Sequence, residues 1–135
     1  MFTLTQNRTA PEELIEFSKN VIQDILMNVR GVNYVMLCST DGFELAHVYK
    51  KDGYNTTKLA AVSSSILAMV AAFMHEIHLE GCQSITLDAD NGKAILTSIP
   101  SSKHPMIIVT LTEKDVLLGQ LLYTLKNSGN RIMQY

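Results

Sequence analysis

The side chains that could do chemistry in this sequence are few, and His75, His78 and Cys82 come first. The spacing His75-x-x-His78 sets two imidazoles on one side of a helix with Cys82 after its end, a pattern that could hold zinc. A fourth ligand is missing, and histidines suit the last turns of a helix anyway because the negative end of its dipole favours them. No metal site is therefore expected. A Ser/His/Asp triad could be drawn from many residues, yet no Gly-x-Ser-x-Gly elbow singles out a nucleophile. Neither a Gly-x-x-x-x-Gly-Lys-[Ser/Thr] loop nor a Gly-x-Gly-x-x-Gly run occurs, and Asn91-Gly92-Lys93 reads as a hairpin turn. Lys50, Lys51, Lys103 and His104 read as solvated turn residues. With no catalytic constellation, neither enzymatic activity nor a cofactor is expected.

The elements that would position any site belong to one unit. At 135 residues the chain fits a single domain, residues 1–135, with a core of about 12–126 and mobile tails at 1–8 and 127–135. A hydrophobic share of 47% with three prolines excludes a disordered or low-complexity chain. Eleven basic residues against 13 acidic give a net charge of −2, and no like-charge run exceeds Lys50-Lys51, so nucleic acid is not an expected partner. The first eight residues carry neither a basic n-region nor an apolar run, which points to the cytoplasm. The longest uncharged stretch, residues 59–74, contains three serines and is shorter than the ~20 apolar residues a bilayer needs, so no membrane span is expected. Cys38 and Cys82 read as small buried hydrophobes, and the sequons at Asn7 and Asn55 as chance matches.

Thr9 and Glu12 can form a capping box, Pro11 suits a first turn, and Leu14, Val21, Ile22, Ile25 and Val29 recur at helical spacing, predicting a helix up to Arg30-Gly31. Residues 34–38 and 43–49 read as a hairpin across Asp41-Gly42. A long helix follows, capped by Asn55 or Thr56, running to about Leu79 and stopping at Gly81. Residues 84–88, 94–99 and 106–111 form a meander, and a last helix opens at Thr112, with Asp115 three residues on, and frays from Asn127. Strands 34–38 and 106–111 are apolar at every position or nearly so, hence covered on both faces and central. The expected fold is an α+β sandwich: a five-stranded antiparallel sheet in order 2-1-5-4-3, the long helix on one face and the two terminal helices on the other.

On a helical wheel, Leu59, Val62, Ile66, Val70, Phe73 and Ile77 form the stripe expected to pack on the sheet. The opposite side holds Ala61, Ser64, Ser65, Ala68, Ala71, Ala72 and His75, with no charge between Lys58 and Glu76, where a solvated face would be rich in Lys and Glu. Small side chains let a second helix approach closely, and the chain has no helix to spare. The expected cover is the same helix of another copy about a two-fold axis. The edge strand would then lie near that axis, and Ser84, Thr86 and Asp88 would join their twins, merging two sheets. A merely alanine-rich surface helix is the bland alternative.

Three stretches in this order carry a family likeness: residues 35–46 through the Asp41-Gly42 turn, the Ala/Ser-rich helix, and Gly92-Lys93-Ala94-Ile95-Leu96 leading to Leu117-Leu118-Gly119-Gln120-Leu121-Leu122. From about Glu12 to Lys126 the chain resembles the roadblock family of dynein light chains and their bacterial relatives of the MglB type. The resemblance implies a homodimer that joins edge strands, pairs its long helices on one face, and there binds a small Ras-like GTPase as a regulatory or scaffold protein without a nucleotide site. It supplies no arginine finger: Arg8, Arg30 and Arg131 lie at segment ends or in tails, so any effect on hydrolysis would act by reshaping the GTPase. The loop Ser101-Ser102-Lys103-His104-Pro105 departs from the family pattern in its polarity. The alternative reading is a small-molecule sensor of profilin-like or PAS-like type, favoured by a cavity of ~300 Å³ or more between sheet and helix and disfavoured by a filled core.

Overall fold

Two strands with almost no exposed position set the layout of the computed structural model, which describes residues 10–135. They are β1 (Val32–Ser39) and β5 (Met106–Thr112), paired antiparallel with Met36 opposite Val109 and Leu37 opposite Ile108. Alternate side chains of these strands point to opposite faces, so each face must be roofed. β2 (Glu44–Tyr49) lies outside β1, while β4 (Gly92–Ile99) and β3 (Ser84–Ala89) lie outside β5, giving the order β2-β1-β5-β4-β3. This is the expected order.

One face carries α1 (Glu12–Asn28) and α3 (Leu118–Met133), whose Ile22, Ile25, Leu121 and Leu125 close over Val35, Leu37, Ile95 and Ile108. The other face carries α2 (Thr56–Glu76), whose Ala60 packs into a smaller cluster with Tyr34, Met36, Cys38, Ile107 and Val109. The arrangement is the expected sandwich.

Element ends differ from the sequence pattern where packing or backbone geometry overrides it. The capping residue Thr9 and the tail 1–8 lie outside the described residues; Pro11 is the N-cap of α1, with Glu12 and Glu13 placed at the positive end of the helix dipole. Of the two expected caps, Asn55 is the one that caps α2, its Oδ1 accepting from the Lys58 N–H at 3.0 Å, while Thr56 opens the helix. The helix then ends before Leu79. His78 adopts φ +62°, its N–H donates to the His75 carbonyl at 3.2 Å, and Leu79 N–H reaches the Met74 carbonyl at 2.9 Å. This is a Schellman end with a histidine in the left-handed position that glycine usually holds. α3 begins at Leu118 rather than Thr112 because Val116 is pulled into the core beside Gly31, while Glu113 N–H donates to the Gly31 carbonyl at 2.8 Å. It continues through residues 127–133, expected as a frayed tail, since Ser128, Gly129 and Ile132 prolong its buried stripe.

Gly31 and His78 therefore give opposite signs. Gly31 has φ +94°, and a Cβ there would lie 3.3 Å from Val116 Cβ, so Gly31→Ala should cost about 1–3 kcal/mol in denaturant unfolding. His78→Gly should add about 1 kcal/mol in the same measurement by relieving the left-handed histidine.

Candidate functional site

α2 sits on the sheet through small side chains. Ala60 and Ser63 are its two buried residues, with Leu59, Ile66 and Leu67 half-buried beside them. The large partners come from the sheet, so a small-residue stripe lets the helix settle close to Tyr34 and Met36. Ser64 Oγ donates to the Thr40 carbonyl at the end of β1, which fixes the helix against the β1–β2 turn. On a wheel of ~100° per residue, the buried stripe is rotated by about 80° from the Leu59–Ile77 stripe expected from bulk and spacing.

The consequence is a reversal for half of that stripe. Val62, Phe73 and Ile77 are exposed, not packed on the sheet, and Met69 stands beside them; Phe73 is 64% exposed and Met69 67%. Sequence spacing did not mark these as surface residues; the available signal was that the helix is apolar all round from Leu59 to Met74, a pattern that belongs to a covered helix. Among the expected interface residues, Ala61, Ser65, Ala68, Ala71, Ala72 and His75 are exposed, and Ser64 is half-buried by its bond to Thr40. Ser65 turns its hydroxyl back to the Ala61 carbonyl at 3.2 Å, so the outward face offers few polar groups. By length and composition the 21-residue α2 is apolar enough to cross a membrane, which counting only the uncharged stretch did not reveal; its seat on β1, β2 and β5 makes it a layer of this fold.

β3 continues this surface. Ile85 joins the α2-side cluster, Leu87 two residues on is 46% exposed, and β3 pairs on one side only, with β4. Ser84, Thr86 and Asp88 project to the opposite face and are exposed, so the structure puts these three on the edge strand but on the other side of the sheet from the expected residues of α2. Asp88 accepts from Lys93 Nζ at 2.7 Å and Lys114 Nζ at 2.9 Å, and these two cations hold its carboxyl down at about 2. The charge pins the outer strand to its neighbour and to the segment after β5 while keeping the edge wet.

The remaining candidates serve the fold. Lys51, expected as a free turn residue, donates to Glu113 at 2.8 Å, and Asn33 donates to the same carboxylate, which is lowered by both. His104 N–H donates to Ser101 Oγ at 3.2 Å within its loop. Burial pushes the Cys38 thiol up to about 12, so it is no nucleophile, whereas Cys82 is only half-buried. His75, His78 and Cys82 do not form a metal-holding group; among the described residues no three of His, Cys, Asp or Glu do. Arg131 lies on the α1–α3 face, 3.5 Å from Asp24, on the opposite side of the sheet from α2. The core between sheet and helices is filled by large side chains, but an open cleft of about 440 Å³ lies between α3 and the β3–β4 edge.

Comparison with known proteins places this geometry. The family model of the Roadblock/LC7 domain matches residues 19–118. Among solved structures, the gliding protein MglB of Thermus thermophilus superposes with a TM-score of 0.81 at 15% identity, covering 93% of this chain and 92% of that one. An MglB described with a tetrameric arrangement gives 0.81 at 16% identity, covering 93% and 91%. A Roadblock/LC7 domain from Streptomyces avermitilis gives 0.77 at 13%, covering 87% and 95%. No curated protein sequence matches.

The charge pair at the strand edge has a pH signature. Because the folded carboxyl of Asp88 titrates near 2 against an ordinary 3.8, its contribution to stability is fully present above 3.8 and is lost as pH falls through 2. Acid unfolding of Asp88→Asn should therefore be less steep than wild type between those values, and salt at about 1 M should shrink the difference.

Proposed function

The chain belongs to the Roadblock/LC7 domain family, and from that premise we propose that it is a cytoplasmic, homodimeric regulatory or scaffold protein, without enzymatic activity of its own, that binds a small Ras-like GTPase. The observation that carries the reading is the outward face of α2, free of charge from Leu59 to Met74 and bearing Val62, Met69 and Phe73 in the open, on the sheet face to which the one-sided edge strand β3 turns Leu87. An apolar helix back next to an unpaired strand suits a second copy better than water, because one two-fold axis can cover both. Three side chains from each copy, at roughly 1–2 kcal/mol apiece, stand against an association cost of roughly 4–15 kcal/mol, so strand pairing has to contribute as well. A twin register centred on Thr86 would set Asp88 opposite the partner's Ser84, which keeps the two carboxylates apart. The solved MglB with a tetrameric arrangement supports self-association of this fold.

The GTPase partner rests on the family resemblance. Members of the family are generally regulatory or adaptor proteins. Among the described residues the arginines are Arg30, just after α1, and Arg131, on α3, so α2 itself carries none. The paired α2 helices would form a continuous apolar platform on which a GTPase could be held, and any influence on hydrolysis would come from the conformation imposed on the GTPase rather than from an inserted charge.

Light scattering at micromolar concentration should give twice the 15.0 kDa chain mass. Ala68→Glu, at an exposed helix position, should leave the fold intact and weaken the dimer by about 100-fold, since each copy would bury an unpaired carboxylate. Wild-type chain immobilised in native lysate should retain a guanine-nucleotide-binding protein that Ala68→Glu loses. A monomeric wild type would remove the dimer, and retention of no such protein would remove the GTPase.

A further inference from the structure

α3 packs on β4 but not on β3, so on the face away from α2 the outer strand lies beyond the helix and leaves a cleft of about 440 Å³. That volume is within the range of small-molecule sites, roughly 300–1,000 Å³. Gly129 of α3 lines the cleft without a side chain, and a Cβ there would lie 3.9 Å from Ile99 Cγ1. Its walls are apolar at Leu122, Leu125, Met133 and Pro100.

Its polar groups are unevenly distributed. Lys126 is the one charged residue among the described residues lining it, no carboxylate stands opposite, and none of the ion pairs among the described residues includes it. Thr97, the cross-strand partner of Ser84, lies in the floor, 7% exposed, with Oγ1 lacking any hydrogen-bond partner. A buried hydroxyl without a partner is costly and calls for an explanation. Thr97 is among the residues lining the cleft, so an acceptor bound there would supply such an explanation.

From this lining we infer that the cleft binds a small amphipathic carboxylate, an apolar chain ending in a single anionic group. The chain lies along Leu122, Leu125 and Met133, the charge is met by the Lys126 ammonium, and the Thr97 hydroxyl gains an acceptor. One cation with no second positive group beside it suits a monoanion better than a phosphate. The cleft opens on the face opposite α2, so the inference does not rest on the GTPase reading, although Ser84 in its lining also belongs to the edge at which the proposed dimer pairs.

The test titrates sodium decanoate, below its micelle threshold, into the isotope-labelled full chain and follows amide resonances. Saturable shifts should concentrate at Thr97, Ser98, Lys126 and Gly129. Lys126→Gln, at an exposed position, should weaken decanoate binding by about fivefold while leaving binding of the neutral decanol unchanged. Gly129→Leu should abolish both by filling the cleft, with the unperturbed remainder of the spectrum reporting an intact fold. Shifts confined to α2, shifts that never saturate, or equal decanoate binding by Lys126→Gln would overturn the inference.

Discussion

Ala60 and Ser63 seat α2 on a sheet whose large side chains come from below, and this narrow contact is the cover that one whole face of the sheet receives. Both central strands are buried on both sides, so two layers of helix are obligatory. α1 and α3 share one face, which leaves a single helix for five strands. That helix lies over β1, β2 and β5 and does not roof the β3 edge. The shortage of helix, more than any single residue, leaves apolar side chains exposed on the α2 side.

The choice of small residues for the seat has a second effect. Because bulk is supplied by Tyr34, Met36 and Ile107, the helix can keep Val62, Met69 and Phe73 for its outer side without losing contact with the core. A soluble monomer rarely shows such side chains together on one helix. The strand edge beside them is managed differently: Asp88, held by Lys93 and Lys114, keeps charge and water at one end of β3. Leu87 on the other face of the same strand stays with the apolar surface. One strand thus carries both a deterrent to indiscriminate pairing and a continuation of the sticky face.

Much of this was legible from apolar patterning. The unbroken runs in β1 and β5 placed them centrally, the turn at Asp41-Gly42 fixed the first hairpin, and Asn55 marked the start of α2, all as the structure has them. The missing charges on α2 marked a helix with an uncharged outer side, though not which apolar residues would lie on it. The orientation of the helix was not legible, because a helix apolar all round has no moment strong enough to choose a face, and bulk misled where closeness of packing decided. The end of α2 at His78 escaped notice because a left-handed histidine carries none of the signal that Gly81 does. The continuation of α3 to Met133 depended on small residues, Ser128 and Gly129, that read as loop formers until they are seen against β4. The cleft beside α3 arises from what a helix fails to cover, which no local pattern encodes.

Self-association requires that the back of α2 and the edge of β3 be covered in solution. Amide hydrogen exchange of the unmodified chain, followed at residues 84–89 over a wide concentration range, reads this directly. Backbone protection in β3 that approaches that of β4 when concentrated, and disappears on dilution, is the predicted result. Exchange at the rate of an open edge at every concentration would contradict it.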